Sequence, residues 1–401
     1  MRTEAAIVGA GPAGLIAARE LTRKGFEVRV YEEHPVIGEP NHCAGILSVE
    51  GFNRLGVDPS PDFVQQEIRG GTAYSPDGTG IRIRGGRTRA YAVDRAAFDR
   101  HLAGLALGEG AEIETGNRVS ELVVKDGRVT GVRTKEGTTR AGVVVDCEGA
   151  GGYLARSMGL PRPSEGVLAG INAEVPGIEL ELNMVEVWLG NKVAPGLFAW
   201  IIPIGEGKAR CGLACSRGDA LGRLKAFLGR RFGDIVYSEP RIWPVLTGGP
   251  ANKTLVDGLL LVGDVAGQTK PTTGGGVIMG GLCALEAART VSEALEQGDF
   301  SADFLGRYER SWRASLGGEL SSMLAARRFA NKVSDERMDR LFASLKGAGL
   351  EGALEGIVDE GDMDMQSGVI MSTLSHTGML RVLVASLGRL ALAELRGLFK
   401  L

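Results

Sequence analysis

The run Ile7-Val8-Gly9-Ala10-Gly11-Pro12-Ala13-Gly14 constrains this chain more than any other feature, because it is G-x-G-x-x-G placed directly after a strand-like segment and directly before a helical one. The first glycine permits a tight turn, the second lets backbone approach a pyrophosphate, and the third lets helix and strand pack closely. The helix that follows supplies open N–H groups and a favourable dipole to an anion. Glu32 closes the second strand, Val28–Tyr31, 23 residues after Gly9, where a carboxylate accepts hydrogen bonds from a ribose. Acid at that place favours a free 2′-hydroxyl, so FAD or NAD is expected there rather than NADP. Pro12, Ala13 and Glu33 complete the expected cofactor-binding set at this end.

The 401 residues suffice for two or three domains, with 44% hydrophobic and 24% charged residues, as in a globular enzyme. A net charge of −3 gives no reason to expect nucleic acid as a partner. The five cysteines, Cys43, Cys147, Cys211, Cys215 and Cys283, are scattered and odd in number, which points to reduced thiols. No signal peptide is legible, because acidic Glu4 stands ahead of the first strand. Apolar stretches are interrupted before the ~20 residues of a membrane span. A cytoplasmic protein, attached at most to a membrane surface, is expected.

Periodicity gives a mixed α/β chain. Strands are expected at Ala5–Val8, Val28–Tyr31, Val119–Val124, Arg128–Thr134 and Ala141–Val145, and helices at Pro12–Lys24 and Arg95–Leu107. Residues 160–250 read as mostly β, with alternation at Val185–Leu189 and Leu197–Ile202. A buried strand, Leu259–Val262, leads through Gly263-Asp264 into a helix over about Gly275–Glu296, and the pattern is helical from Ala302 onward. The expected division is 1–159 and 251–300 as two parts of one nucleotide domain, 160–250 as an inserted sheet domain, and 301–401 as a helical region.

The late Gly263-Asp264 resembles the second motif of FAD-dependent enzymes of the p-hydroxybenzoate hydroxylase type. That resemblance implies a Rossmann-like FAD-binding domain with an inserted, mostly antiparallel β-sheet substrate domain. It implies Asp264 on the ribityl chain and the loop Pro271-Thr272-Thr273-Gly274-Gly275-Gly276, leading into Val277, beneath the isoalloxazine. Amides at a helix N-terminus there stabilise negative charge on reduced flavin. Asp94-Arg95-Ala96-Ala97-Phe98-Asp99 resembles a third segment of the superfamily, implying Arg95 near the FAD phosphates or ribityl; Asp94 and Phe98 read equally well as a helix cap and a core residue. Val145-Asp146-Cys147-Glu148-Gly149-Ala150 is similar to a short acidic-glycine motif, with Glu148 where aspartate is usual.

Two further segments resemble the geranylgeranyl reductase family. Gly38-Glu39-Pro40-Asn41-His42-Cys43-Ala44-Gly45 is similar to its G-x-P-x-x-C-A/G-G segment, and implies Cys43 and Ala44 beside the flavin. Pro195-Gly196-Leu197-Phe198-Ala199-Trp200-Ile201-Ile202-Pro203 resembles its P-x-x-Y-x-W-x-F-P segment, with Phe198 for tyrosine and Ile202 for phenylalanine. On a strand Phe198, Trp200 and Ile202 share one face, suited to a prenyl chain, while Leu197, Ala199 and Ile201 share the other. Cys43 reads as a small apolar residue or as a participant in alkene protonation. The resemblance implies FAD-dependent reduction of isolated C=C bonds in a prenyl lipid. Electrons then come from an external donor such as a reduced nicotinamide or ferredoxin. A monooxygenase or halogenase on the same fold, and a prenyl-binding escort protein without catalysis, are the alternatives.

Cys211 and Cys215 fall on one strand face, but with no second ligand pair nearby no metal site is expected. The segment Met379–Leu401 is expected to be helical with Arg381, Arg389, Arg396 and Lys400 on one edge, compatible with an anionic membrane surface or with packing on the body.

Overall fold

The computed structural model describes residues 1–162, 165–216 and 218–388. The first half runs β1 (Arg2–Val8), α1 (Pro12–Thr22), β2 (Val28–Tyr31), β3 (Ile46–Ser48), α2 (Val49–Leu55), β4 (Val64–Ile68), β5 (Gly70–Tyr74), β6 (Gly80–Arg84), β7 (Ala90–Val93), α3 (Arg95–Gly108), β8 (Glu112–Glu114), β9 (Glu121–Lys125), β10 (Arg128–Thr134), β11 (Gly137–Asp146) and α4 (Tyr153–Ser157). The sheet-rich middle holds β12 (Val167–Pro176), β13 (Met184–Trp188), β14 (Ala199–Gly205), β15 (Lys208–Cys215), α5 (Ala220–Phe232), β16 (Arg241–Leu246), β17 (Leu255–Val256) and β18 (Leu259–Leu261). Helices finish the described chain: α6 (Val277–Gln297), α7 (Ala302–Ala330), α8 (Asp335–Gly347), α9 (Glu351–Glu360), α10 (Ser367–Ser375) and α11 (Thr377–Leu387).

The nucleotide sheet has the order β17-β18-β11-β1-β2-β8, with β10 added to β11 and β9 to β10. Strands β18, β11, β1, β2 and β8 are mutually parallel, so their carboxyl ends open on the same edge. Val8 stands level with Tyr31 and with Asp146, and Asp146 with Leu261, so the next residues, Gly9, Glu32, Cys147 and Val262, form one row. A ligand of an open parallel sheet binds at that edge. Helices α1, α3 and α6 cover one face, where Ile7, Leu15, Val30, Phe98, Val145, Met279 and Trp312 share the largest buried cluster. Fully burying each aliphatic side chain in such a cluster contributes about 1.5–3 kcal/mol before the entropy of ordering is subtracted.

The second sheet has the order β16-β12-β15-β14-β13-β5-β6 and is antiparallel except where β13 runs parallel to β5. It therefore recruits β5 and β6, from the segment 70–84, as well as strands from the middle of the chain. On β14, Ala199 and Ile201 pack into one cluster with Cys211, Leu213 and α5, while Trp200 and Ile202 pack into another that faces Ala44, Ile46 and Ala92. The alternation expected for this strand holds there, but Leu197 joins the Trp200 side. The reason is that the strand begins only at Ala199, so Leu197 lies in a turn, its N–H donating to Ala194 O, outside the period-two pattern.

Of the helix expected over Met379–Leu401, the described part is α11, which begins at Thr377. Helix α11 ends at Leu387 on Gly388, whose φ of 59° breaks the helical path. Arg381 is exposed on α11, and Arg389, Arg396 and Lys400 lie outside the described residues. No single described helix is long and apolar enough to cross a membrane; α10 and α11 meet that test only as a pair bent by 85°.

Candidate FAD site

At the carboxyl edge of the sheet, Gly9 adopts a φ of +95°, and a Cβ there would lie 2.5 Å from Cys147 O. A Cβ on Gly14 would overlap Gly9 O. Gly11, by contrast, meets no protein atom within 4 Å, so what a side chain there would fill is the space above the first turn of α1. Gly11 is the N-cap of α1, Pro12 follows at its first position, and no side chain caps the helix. Gly11, Pro12 and Ala13 are half-buried, so the first-turn N–H groups are left open toward that space.

Glu32 accepts from Ala10 N at 2.8 Å through one oxygen and from His34 N at 2.9 Å through the other, with the His34 ring at 2.7 Å. The carboxylate is thereby fixed beside the glycine loop and retains a lone pair on Oε2 for a ribose hydroxyl. Glu33 points elsewhere: it is exposed and pairs with Arg118 at 3.5 Å.

Gly263 has a φ of +82°, and its Cβ position lies 3.2 Å from the Ala13 methyl, so the Gly-Asp turn packs on α1. Three buried groups hold that turn. Gly263 N–H donates to Gln268 Oε1, the Gln268 amide donates to the Tyr308 hydroxyl, and that hydroxyl donates to Leu261 O, each at 2.8 Å. Asp264 Oδ1 lies where a Gly276 side chain would be. Its carboxyl accepts no hydrogen bond from the described residues; burial raises its pKa, and the charges of Arg95 and Arg162 oppose that rise. A half-buried carboxylate without a donor, set between the N-termini of α1 and α6, fits the hydroxyl-bearing chain of a dinucleotide.

Asp94 caps α3, accepting from Ala96 N at 2.9 Å and Ala97 N at 3.1 Å, and Phe98 is buried in the core. Of the two readings for these residues the cap and the core residue describe them. Arg95 reaches the site itself. It pairs with Asp99 at 3.0 Å; burial lowers its pKa, but Asp99 and the neighbouring Cys43 outweigh this and raise it, so the guanidinium stays charged. Glu148 accepts from Tyr153, Leu154 and Ala155 N at 2.8–3.2 Å, which makes it the cap of α4.

The Cys43 loop is tied at each step. Asn41 donates to Asp94 at 3.1 Å, His42 O accepts from Asn172 at 3.2 Å, and Ala44 O accepts from Arg210 at 3.0 Å. Cys43 Sγ accepts from Gly45 N at 3.4 Å and is half-buried, whereas the other four thiols are buried. Cys211 and Cys215 belong to the core of the second sheet, and the described residues contain no metal-binding group of His, Cys, Asp or Glu.

An aromatic group lies across from this loop. His42 packs on Trp243 at 5.6 Å, Trp243 on Trp200 at 6.3 Å, and Phe198 edge-on to Trp200 at 6.2 Å. Phe198 is half-buried, while Trp200 and Ile202 are buried. The Trp200 indole N–H has no acceptor among the described residues. Gly212 makes room for that ring, since its Cβ would lie 2.6 Å from Trp200 Cζ2.

The sequence reading missed Arg210, Gln268, Tyr308, Lys270 and Arg327. Arg327 on α7 is buried and donates to Gly196 O at 3.0 Å, Pro271 O at 3.1 Å and Thr272 O, joining the glycine loop to the Phe198 segment. Burial lowers its pKa to about 10, so it is still a cation at neutral pH.

A family model described as an FAD binding domain matches residues 2–314. The digeranylgeranylglycerophospholipid reductase 2 of Methanothermobacter thermautotrophicus is 34% identical over 363 residues, covering 87% of this chain and 93% of that protein. The chain belongs to this family of FAD-binding reductases. A digeranylgeranylglycerophospholipid reductase of Methanocaldococcus jannaschii is 34% identical over 361 residues, covering 86% of this chain and 91% of that protein. One of Methanothrix thermoacetophila is 31% identical over 400 residues and covers 96% of both. Among solved structures, a geranylgeranyl bacteriochlorophyll reductase-like protein of Thermoplasma acidophilum superposes with a TM-score of 0.84 at 23% identity, covering 99% of both chains. A flavin-dependent brominase superposes at 0.70 with 17% identity, covering 96% of this chain and 98% of its own. Both structures speak for the fold. The cofactor of the family fits the row of Gly9, Gly11, Glu32, Asp264 and the α6 N-terminus.

Proposed function

We propose that this protein is an FAD-dependent reductase of isolated C=C bonds in the geranylgeranyl chains of ether phospholipids. The observation that carries the reading is the similarity, over nearly the whole chain, to reductases named for that lipid. Bound FAD supplies the hydride in its reduced form. The chain's own residues do the rest. Gly9, Gly11, Pro12, Ala13 and Gly14 hold the pyrophosphate end and Glu32 the ribose. Arg95 and Asp264 lie along the linking chain, and Gly274, Gly275, Gly276 and Val277 meet the ring. Phe198 offers the accessible end of an apolar face that Trp200 and Ile202 back, on which a prenyl chain can lie without losing a polar partner.

An isolated alkene accepts hydride only if a proton is added to the other carbon, so the site must deliver one H⁺ for each hydride. Cys43, with the Arg95 cation near it and Ala44 held by Arg210, is the group we assign to that step or to governing access to it. Replacing Cys43 by Ala is expected to leave FAD content unchanged and to lower alkene reduction by ~10²-fold. Full activity in that variant would remove Cys43 from the reaction.

An external reductant of the nicotinamide or ferredoxin class reloads the flavin. The decisive experiment incubates chemically reduced protein anaerobically with digeranylgeranylglyceryl phospholipid and follows the lipid by mass spectrometry. A gain of one H₂ per double bond is expected. No gain with any prenyl lipid, together with oxygen consumption on an aromatic substrate, would transfer the protein to the oxygenating chemistry of the same fold.

A further inference from the structure

The loop from Lys270 to Gly275 is closed on itself. Lys270 N–H donates to Gly275 O at 3.0 Å, and Lys270 O accepts from Gly274 N at 2.7 Å and Thr273 N at 3.2 Å. The lysine side chain then folds back along the glycines, so that a Cβ on Gly275 would lie 2.8 Å from Lys270 Cε and 3.6 Å from Nζ. The ammonium donates to Asp364 Oδ1 at 2.8 Å and to Met363 O at 3.2 Å.

Asp364 has no exposed surface, although it belongs to the segment between α9 and α10, far along the chain. Its second oxygen accepts the Ser48 hydroxyl, and Ser48 Oγ accepts Gly51 N–H at 2.9 Å. Neighbouring groups clamp the same segment: Arg54 pairs with Asp362, Arg89 donates to Asp359 O and Gly361 O, and Thr272 donates to Gln366 at 2.6 Å.

A fully buried carboxylate paired with Lys270, and at 3.9 Å with Arg54, is costly unless the geometry is good, and apolar residues of similar volume commonly close such a gap as well or better. Its placement has a charge consequence, because Arg327 grips the same loop through carbonyls, with no carboxylate partner among the described residues. Lys270 and Arg327 bring two cations onto the 270–275 segment itself against the single carboxylate of Asp364, while Asp264 lies at its Gly276 end. The 21-residue helix α6 begins beside it with no side-chain cap on its N–H groups.

We propose that Lys270 sets the redox poise of the bound flavin, its ammonium beside Gly275 stabilising the negative charge of the two-electron-reduced ring and Asp364 limiting that effect. This rests on the reading of Gly274–Gly276 as the loop that meets the ring. Lys270 is a tuning residue here; no proton or bond is assigned to it. A cation held in a site shielded from water favours the form of the ring that carries the extra negative charge. Asp364, delivered by the C-terminal helical region, also makes the poise depend on that region being docked.

The test is the midpoint potential of the FAD-loaded protein, read by equilibration against reference dyes, beside the affinity for oxidised FAD. K270M should bind reduced FAD at least tenfold less well relative to oxidised FAD, a fall of about 30 mV for a two-electron couple. D364N should move the potential the other way, and K270R should return it toward the wild-type value. K270M/D364N strands no buried charge; if a single variant does not fold, the double variant decides, with a potential below wild type supporting the proposal. Equal potentials in the folded variants, whatever their stability, would reduce the pair to a clasp and overturn it. G275V separates the two readings: retention of normal FAD affinity overturns the assignment of the glycine loop, whereas lost affinity with unshifted potentials in the Lys270 series overturns only the role of Lys270.

Discussion

Gly14→Ala will lose both fold stability and flavin, whereas Gly11→Ala will fold normally and lose flavin alone. At Gly14 the added methyl overlaps Gly9 O and lies 3.2 Å from Ile7 Cγ2, so strand β1 and helix α1 must separate. Overpacking against backbone that cannot yield costs about 1–3 kcal/mol or more, and the displaced turn no longer forms the cradle. At Gly11 the φ of −80° suits any residue and no protein atom stands within 4 Å, so the only steric cost falls on a bound pyrophosphate. Losing glycine as N-cap for alanine costs at most about 1 kcal/mol. Thermal unfolding of the FAD-free proteins separates the two variants, and fluorescence titration with FAD should show at least ~100-fold weaker binding for Gly11→Ala, about 2.7 kcal/mol. Wild-type affinity in Gly11→Ala would mean that the space above α1 is not where the pyrophosphate lies.

The parts of this fold that were legible in the sequence are those whose cause is local. The strand Val28–Tyr31 and the strand Arg128–Thr134 have the expected bounds, and α1 and α3 begin at the expected residues, because a proline at the first position and an aspartate cap mark those starts. Local signals could also have assigned Glu148: an acid ahead of a glycine run and a short helix is a cap as readily as a cofactor ligand. The second sheet was less legible. Gly70 and Gly71 in β5 look like loop residues, yet β5 is a strand because it pairs parallel with β13, Met184 facing Gly70. No period within 70–84 announces a partner a hundred residues away. The charged residues were missed for the same reason. Lys270 finds Asp364, Arg327 finds Gly196 and Pro271, and Arg210 finds Ala44 and Val93, so each acquires its role only after the chain returns on itself.

Arg210→Met is the second variant for which a large effect is expected, since this guanidinium ties the second sheet to the Cys43 loop. Arg210 is 4% exposed although β15 is otherwise apolar after its first residue, Lys208. It donates to Ala44 O at 3.0 Å, Val93 O at 3.1 Å, Gln65 Oε1 at 3.0 Å and Glu174 Oε1 at 3.3 Å. The fork must sit close to the loop backbone, and this explains Gly45: its φ is +77°, and a Cβ there would lie 2.5 Å from both Arg210 Nη1 and Val93 O. Methionine fills the same volume but strands the two carbonyls, each a partner of a charged donor worth about 1.5–3 kcal/mol. Discounting the contact to Glu174, which is half-exposed, the expected loss in urea unfolding is about 3 kcal/mol. Lysine keeps the charge but, lacking the planar fork, cannot bridge both carbonyls, so Arg210→Lys should recover only part of it. A purely structural loss elsewhere would leave the thiol unchanged in the folded protein. Release of the loop should instead let a maleimide label Cys43 at least tenfold faster under native conditions, while the buried Cys147, Cys211, Cys215 and Cys283 stay protected. If labelling of Cys43 keeps its wild-type rate, Arg210 does not hold the loop, and the coupling between second sheet and thiol must run through Asn172 and His42 instead.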